Sequence, residues 1–291
     1  ALELVIRENA MTIVKPPTFE ELVQAYGSPK AAIQHLIEAG STPEEIEWKL
    51  GIPYYLIRLY MAEVHLKNPI PFSEVVKIYE RLATIRSKKG KETELTKLFQ
   101  TEGLNLEMKA RLALGTISEE NLKVGPGIIE RAICLATGEP PSKVKKLLID
   151  YGEHGEVAYL LSGPKEAKIT VEEVYEAIRF LPKLAKIMER ILQISSLLRV
   201  STPEEAKYIV RLILGDLKLG YYQRTVIRAA AKAYGVTPEL IEGACAMLGL
   251  TEGLVLASEG DLALSTVKLR PGQFLKPQLA HLYEPDKVEY P

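Results

Sequence analysis

The chain has 291 residues, 47% of them apolar and 26% charged, with a formal net charge of −1. No apolar run approaches the roughly 18 residues of a membrane helix, and no signal peptide is recognisable. The chain therefore reads as soluble in type, and a cytoplasmic location is expected. Near-neutrality also means that any polyanion site has to come from local clustering of charge.

The charge is uneven: residues 11–70 hold five bases and seven acids, residues 71–200 twenty-one and eighteen. Cys134 and Cys245 sit in apolar helical runs and read as free thiols of a reducing compartment. The four histidines, His35, His65, His154 and His281, form no pair at ligand spacing, so neither metal nor cofactor is expected. Lysine and glutamate are abundant while glutamine and asparagine are scarce, a composition that leans toward a thermophile.

Residues 1–10 carry no pattern and precede Met11, so they read as a leader or tag. Residues 11–70 form a small helix-turn-helix-like domain. Ser28-Pro-Lys opens a helix through Ile37, and Gly40 turns the chain. Ser41-Thr-Pro-Glu-Glu then supplies an N-cap, a proline start and first-turn acids for a helix carrying Ile46 and Leu50. Gly51-Ile-Pro53 turns again into a third helix from Tyr54 to Leu66. The pattern resembles the "G-s-x-x-E-I-x-x-x-L-G-I-p" of many regulators. A base-reading helix presents arginine, lysine, glutamine or asparagine; here Tyr54, Tyr55, Arg58, Glu63 and His65 offer one certain cation. Whether residues 41–66 touch DNA, recruit a protein partner or pack on the next domain stays open at this point.

Asn68-Pro-Ile-Pro71 reads as a linker. Beyond it, residues 71–260 show helical period almost throughout. Val75, Val76, Tyr79 and Leu82 recur in one segment, Leu95, Leu98 and Phe99 in the next, and Val171, Val174, Tyr175 and Ile178 after the Thr170 cap. The expected fold is all-α. Only Leu254–Lys276 alternates enough to suggest a strand or an extended strap, and residues 261–291 are assigned to that strap.

Within the helical region the chain repeats itself. Arg111-Leu-Ala-Leu-Gly115 and Arg211-Leu-Ile-Leu-Gly215 are each followed by a glycine-bearing turn at Gly125 and Gly220, then a helical run ending at Gly138 and Gly235. A proline start follows at Pro141 and Pro238, and then an apolar segment after Gly155 and Gly253. Two units are too few for a solenoid, so the halves are expected to pack on each other about a pseudo-two-fold axis.

The halves differ in charge. Lys207, Arg211, Lys218, Arg224, Arg228 and Lys232 stand against a single acid, Asp216. Arg224, Arg228 and Lys232 recur every four residues and share one helix face; Lys207 and Arg211 form a similar pair on the preceding helix. Both stripes flank the turn Gly215–Gly220, which suggests a phosphate-tracking surface. Lys88, Lys89 and Lys91 are added to the same candidate set.

These elements, in order, resemble the N-terminal DNA-binding domain of archaeal and eukaryotic ATP-dependent DNA ligases. Phe72-Ser-Glu-Val-Val-Lys-Ile-Tyr-Glu80 looks like that family's opening helix. Leu114-Gly115 with Val124-Gly125 is similar to its first repeat, and Tyr151-Gly-Glu-His-Gly-Glu-Val-Ala158 to its "D-x-G-x-x-A" segment. Glu205 to Gly220 resembles "E-A-x-Y-I-x-R-x-I-x-G-x-L-R-x-G", and Pro271 to Ala280 the "P-x-x-P-M-L-A" strap that leads into a catalytic domain.

The resemblance implies a domain that grips the minor groove of nicked double-stranded DNA in replication and repair and performs no chemistry itself. Gly215, Leu217, Lys218 and Gly220 would then be the minor-groove turn, with Gly115 and Gly125 its counterpart in the first half. Lys218 stands where the family prefers arginine, keeping the charge but losing the planar fork.

Three departures qualify that reading. The family's Lys-x-Asp-Gly motif occurs nowhere in the chain, so ligation by this polypeptide alone is not expected. Residues 162–168 contain no sliding-clamp peptide. The helix-turn-helix-like unit has no counterpart in the usual ligase domain. The leading expectation is non-catalytic DNA binding; the alternatives are a sequence-specific regulator acting through residues 41–66, or an interaction scaffold that has lost DNA affinity.

Overall fold

The computed structural model describes residues 17–64, 66 and 69–268. The leader reading of residues 1–10 and the strap at Pro271–Ala280 lie outside them. Among the described residues the fold is all-α, with no strand and only a single bridge between Pro71 and Thr170. No helix among the described residues is long and apolar enough to cross a membrane.

Four helices form the N-terminal unit: α1 (Phe19–Tyr26), α2 (Pro29–Glu38), α3 (Pro43–Leu50) and α4 (Tyr54–Met61). Thr18 and Thr42 each close a capping box with a glutamate three residues on, and Ser28 caps α2, so an orphan N–H group at each of the three helix starts has an acceptor. Ile33, Ile46, Ile52 and Ile57 make a small core between them. Helix α1 was not foreseen, although Thr18-Phe-Glu-Glu21 is a capping-box string.

Helix α4 differs from the sequence expectation. It ends at Met61 rather than Leu66. No residue in it is exposed, and Tyr54, Tyr55, Ile57 and Leu59 are buried. A helix in the position of a base reader is here enclosed by protein.

The main body contains α5 (Phe72–Thr84), α6 (Lys88–Gln100), α7 (Leu106–Leu114), α8 (Pro126–Thr137), α9 (Pro141–Tyr151) and α10 (His154–Leu161). These are followed by α11 (Val171–Arg179), α12 (Ile187–Val200), α13 (Pro203–Leu214), α14 (Gln223–Tyr234), α15 (Pro238–Leu248), α16 (Leu250–Leu256) and α17 (Asp261–Ser265). The duplication extends beyond the four segments legible in sequence, since α5–α10 and α11–α16 correspond helix for helix. The two copies are interlocked. Helix α6 packs on α14 while α12 packs on α8, and α10 packs on α13 while α16 packs on α7.

The copies also begin together. The Phe72 N–H donates to the Ile169 carbonyl and the Val171 N–H to the Ile70 carbonyl, both at 2.9 Å, a reciprocal pair across the pseudo-two-fold axis. One continuous apolar core results, with Phe72, Tyr79, Phe99, Tyr175 and Tyr208 among its fully buried side chains.

The tail corrects a second expectation. Residues 254–266, read as strand or strap, are helical: α16 runs into a 3-10 turn at Ala257–Glu259, and α17 follows. Leu254, Ala257 and Leu264 are buried in the core.

Candidate functional site

The two glycine-capped helix ends meet at the centre of the duplication. Helices α7 and α13 terminate in Gly115 (φ 74°) and Gly215 (φ 72°), both left-handed. A Cβ on Gly115 would lie 2.8 Å from the Leu217 side chain, and one on Gly215 would lie 3.9 Å from the Thr116 methyl. The chain leaving each helix therefore crosses against the other half. Tyr221 reinforces the crossing by donating its hydroxyl to the Ala113 carbonyl at 2.7 Å.

Beyond each crossing lies a lysine-tipped turn. In the second half, Asp216 accepts the Lys218 N–H at 3.0 Å and holds the Lys218 backbone at φ 56°. In the first half, Asn121 accepts the Lys123 N–H at 2.7 Å and Lys123 sits at φ 55°. Asp216-Leu-Lys-Leu-Gly220 thus has a structural twin, Asn121-Leu-Lys-Val-Gly125. Both lysines are exposed, and neither is β-branched, which suits a conformation that side chains rarely adopt. Lys123 was missed in the sequence because residues 116–120 are inserted ahead of it. The Asx-Leu-Lys-x-Gly string was the available signal.

Lys218 also meets Asp216 through its ammonium at 2.6 Å. That hydrogen bond holds the Asp216 carboxyl below its ordinary range and raises the Lys218 ammonium above its own. The pair is half exposed, so its net worth is small and an incoming anion can displace it.

The first turn of α6 borders the second lysine turn. Lys91 donates to the Leu219 carbonyl and, at 3.0 Å, to that of Gly220. Lys91 therefore braces the turn instead of projecting from the surface. Lys88 and Lys89 are exposed and make no ion pair among the described residues. Three lysines in the first turn of a helix, with no acid, oppose the helix dipole and leave a strongly positive N-terminus.

The basic stripe divides into two groups. Lys207 and Arg211 do not form the exposed pair expected of them. Lys207 is 9% exposed, 2.5 Å from Glu80 and over the Tyr159 ring. Arg211 is 8% exposed and reaches Glu153 at 2.8 Å and Glu156 at 3.1 Å. Burial works against the Arg211 charge, but hydrogen bonding to Glu153 and the two carboxylates hold its pKa above the ordinary value. The i, i+4 spacing is real, but that face of α13 lies against α5 and α10.

Arg224, Arg228 and Lys232 remain outward on α14. They are not a bare row of cations, however. Arg224 meets Glu242 at 3.2 Å, Arg228 meets Glu92 at 3.4 Å, and Lys232 donates to the Thr93 hydroxyl at 3.2 Å. The acids come from α15 and α6, which spacing along α14 cannot reveal. Among the described residues no group of histidine, cysteine and carboxylates is arranged to hold a metal.

Comparison with known proteins agrees with this architecture. The family model "DNA ligase N terminus" matches residues 71–231, more than half of the chain. The DNA ligase of Nanoarchaeum equitans is 31% identical over 227 residues, covering 72% of this chain and 40% of the relative. DNA ligase 1 of Methanosarcina acetivorans is 30% identical over 230 residues, covering 74% and 39% respectively. The chain thus spans about 40% of the length of the curated relatives it matches.

Proposed function

Because this chain belongs to the DNA ligase N-terminus family, we propose that it holds duplex DNA through phosphates and the minor groove and leaves the chemistry of strand joining to other parts of a ligase. The observation that supports this reading is the pair of Asx-Leu-Lys turns that follow the crossing helix ends, one in each half. A duplex has local two-fold axes through its minor groove, so two-fold-related turns meet its two backbones equivalently. Lys123 and Lys218 supply the charge there. Gly125 and Gly220 let main chain approach a strand closely.

Lys88, Lys89 and Arg224 extend the same positive surface beside the second turn. Gly115, Gly215 and Leu217 set the crossing, and Lys91 holds the turn in place. Arg228 and Lys232 contribute from the outer face of α14 once their partners yield. Lys207 and Arg211 serve as internal supports. The helix-turn-helix reading gains nothing comparable, since α4 has no exposed residue to offer a base edge.

The test is retention of nicked, intact and single-stranded DNA across a salt series. Duplex binding at low salt is expected, with log affinity falling against log salt at about −0.9 per phosphate contact. Single substitutions Lys123→Ala and Lys218→Ala are each expected to reduce that slope by about one contact. No retention of any duplex at low salt would overturn the proposal.

A further inference from the structure

The pseudo-two-fold axis produces two equivalent surface grooves, and the chain fills them with different chemistry. The first lies between α8, α9 and the start of α12, the second between α14, α15 and α6. Helices α8 and α14 have equal length and end at Gly138 and Gly235, which fixes their alignment. Leu135 then stands in the place of Lys232, and Gly127 in the place of Arg224. Ile187 and Met188 open α12 where Lys88 and Lys89 open α6.

The first groove has a volume of about 900 Å³. Leu135, Ile187 and Met188 in its walls are 46%, 55% and 59% exposed, and Val144 and Ile191 form its floor. A contiguous apolar patch of this kind marks a contact site more often than a solvated surface. Its walls carry leucine, isoleucine and methionine where the second groove carries lysines, so an apolar surface fits it better than a phosphate backbone.

Charge at the rim specifies the partner. Arg131 and Lys145 line the groove, are exposed, and make no ion pair among the described residues. The one acid lining the groove, Glu130, lies 3.6 Å from His154. We infer that this groove docks an acidic amphipathic helix of a partner protein. Its apolar side chains would enter between Leu135 and Met188, and its carboxylates would meet Arg131 and Lys145. Helix-in-groove recognition needs an apolar trough, which is present, and the two unpaired cations beside it set the sign of the partner's charge. The inference is independent of the DNA-binding reading, because no residue in it belongs to the lysine turns.

The probe is a fluorescein-labelled synthetic helix of leucine and glutamate, with leucines at i, i+3, i+4 and i+7, tested against the full chain by anisotropy. A sister peptide with lysine for glutamate is the control. The acidic peptide is expected to bind, and Leu135→Lys or Met188→Lys to weaken it roughly tenfold or more. The double variant Arg131→Glu, Lys145→Glu is expected to transfer preference to the lysine peptide. All substituted side chains are exposed, and an unchanged thermal melt confirms that the variants fold.

Absence of binding, equal binding of both peptides, or indifference to Leu135→Lys would overturn the inference. So would a dimer in sedimentation that Leu135→Lys dissociates, which would make a second copy the occupant. Loss of duplex retention by Leu135→Lys would assign the groove to DNA and overturn it equally, whereas failure of the lysine-turn variants would leave it standing.

Discussion

At the scale of single residues, burial decides what a lysine or arginine does. Lys218 and Arg211 lie seven positions apart, yet one projects from a turn and the other is enclosed by Glu153 and Glu156. Removing one partner from a buried ion pair strands the remaining charges and costs about 3–5 kcal/mol. Arg211→Ala is accordingly expected to lower stability by about that amount in urea unfolding while leaving the salt slope of DNA retention unchanged. Lys218→Ala is expected to do the reverse, with a smaller slope and little change in the melt. If Arg211→Ala changed only the slope, its placement as an internal support would be wrong.

Gly115 is a second residue-scale case. Alanine there meets both a left-handed backbone and Leu217 at 2.8 Å. Gly115→Ala is expected to cost at least about 1 kcal/mol, the usual scale for such backbone strain. The matching change at Gly215 faces only Thr116 at 3.9 Å and is expected to cost less. Sequence showed that both glycines close matching strings of a repeat, because the Arg-Leu-x-Leu-Gly strings are explicit. It did not show that the two turns cross, since no periodicity along one strand of chain reports what lies against it. The Lys123 turn was hidden for a related reason: aligning the repeats at Gly115 and Gly215 shifts Asn121 and Asp216 five places out of register.

At the scale of elements, helix α13 carries a titratable strain that sequence placed but did not weigh. Glu205 belongs to the Thr202 capping box, accepting the Thr202 N–H at 2.9 Å, and is fully buried. Burial raises its pKa above the ordinary 4.5, in spite of hydrogen bonds from Thr202 that favour the charged form. A group whose folded pKa is raised contributes stability that is present below its unfolded value and lost as pH rises through the folded one. Glutamine keeps the cap without the charge. Glu205→Gln is therefore expected to match the parent near and below pH 4.5 and to melt at higher temperature once pH exceeds the raised value. A Tm difference that shrinks as pH rises would contradict this.

The tail shows where element reading fails. Leu254-Val-Leu-Ala257 is a short apolar run, and periodicity alone does not separate strand from helix in such runs. Gly249 and Gly260, at φ 110° and 93°, divide the segment into short helices, of which α16 buries three residues and α17 one. Longer helices such as α5 and α11 carry enough turns for their apolar faces to be unambiguous.

At the scale of the whole molecule, the N-terminal unit is joined to the duplicated body through a shared core. Tyr55 and Leu59 of α4 belong to the same apolar cluster as Phe72 and Tyr175. The Tyr55 N–H donates to the Ser196 hydroxyl at 3.1 Å, Arg58 meets Glu189 at 2.5 Å, and Arg199 meets Glu47 at 3.1 Å. The sequence read Asn68-Pro-Ile-Pro71 as a linker and left packing on the next domain open, because a linker in sequence does not determine whether its flanks dock. Burial of Leu59 alone is worth about 1.5–3 kcal/mol. Deleting residues 1–66 is thus expected to lower the melting temperature of the body by exposing α11 and α12. Among the described residues the lysine turns at Lys123 and Lys218 have no bonded partner in the deleted segment, so duplex retention at low temperature and its salt slope are expected to survive. Leu59→Ala in the full chain separates the two effects, since it should reproduce part of the thermal loss with DNA retention intact. If instead the deletion left the melt unchanged and abolished retention, the N-terminal unit would be the DNA-binding element and the body its support.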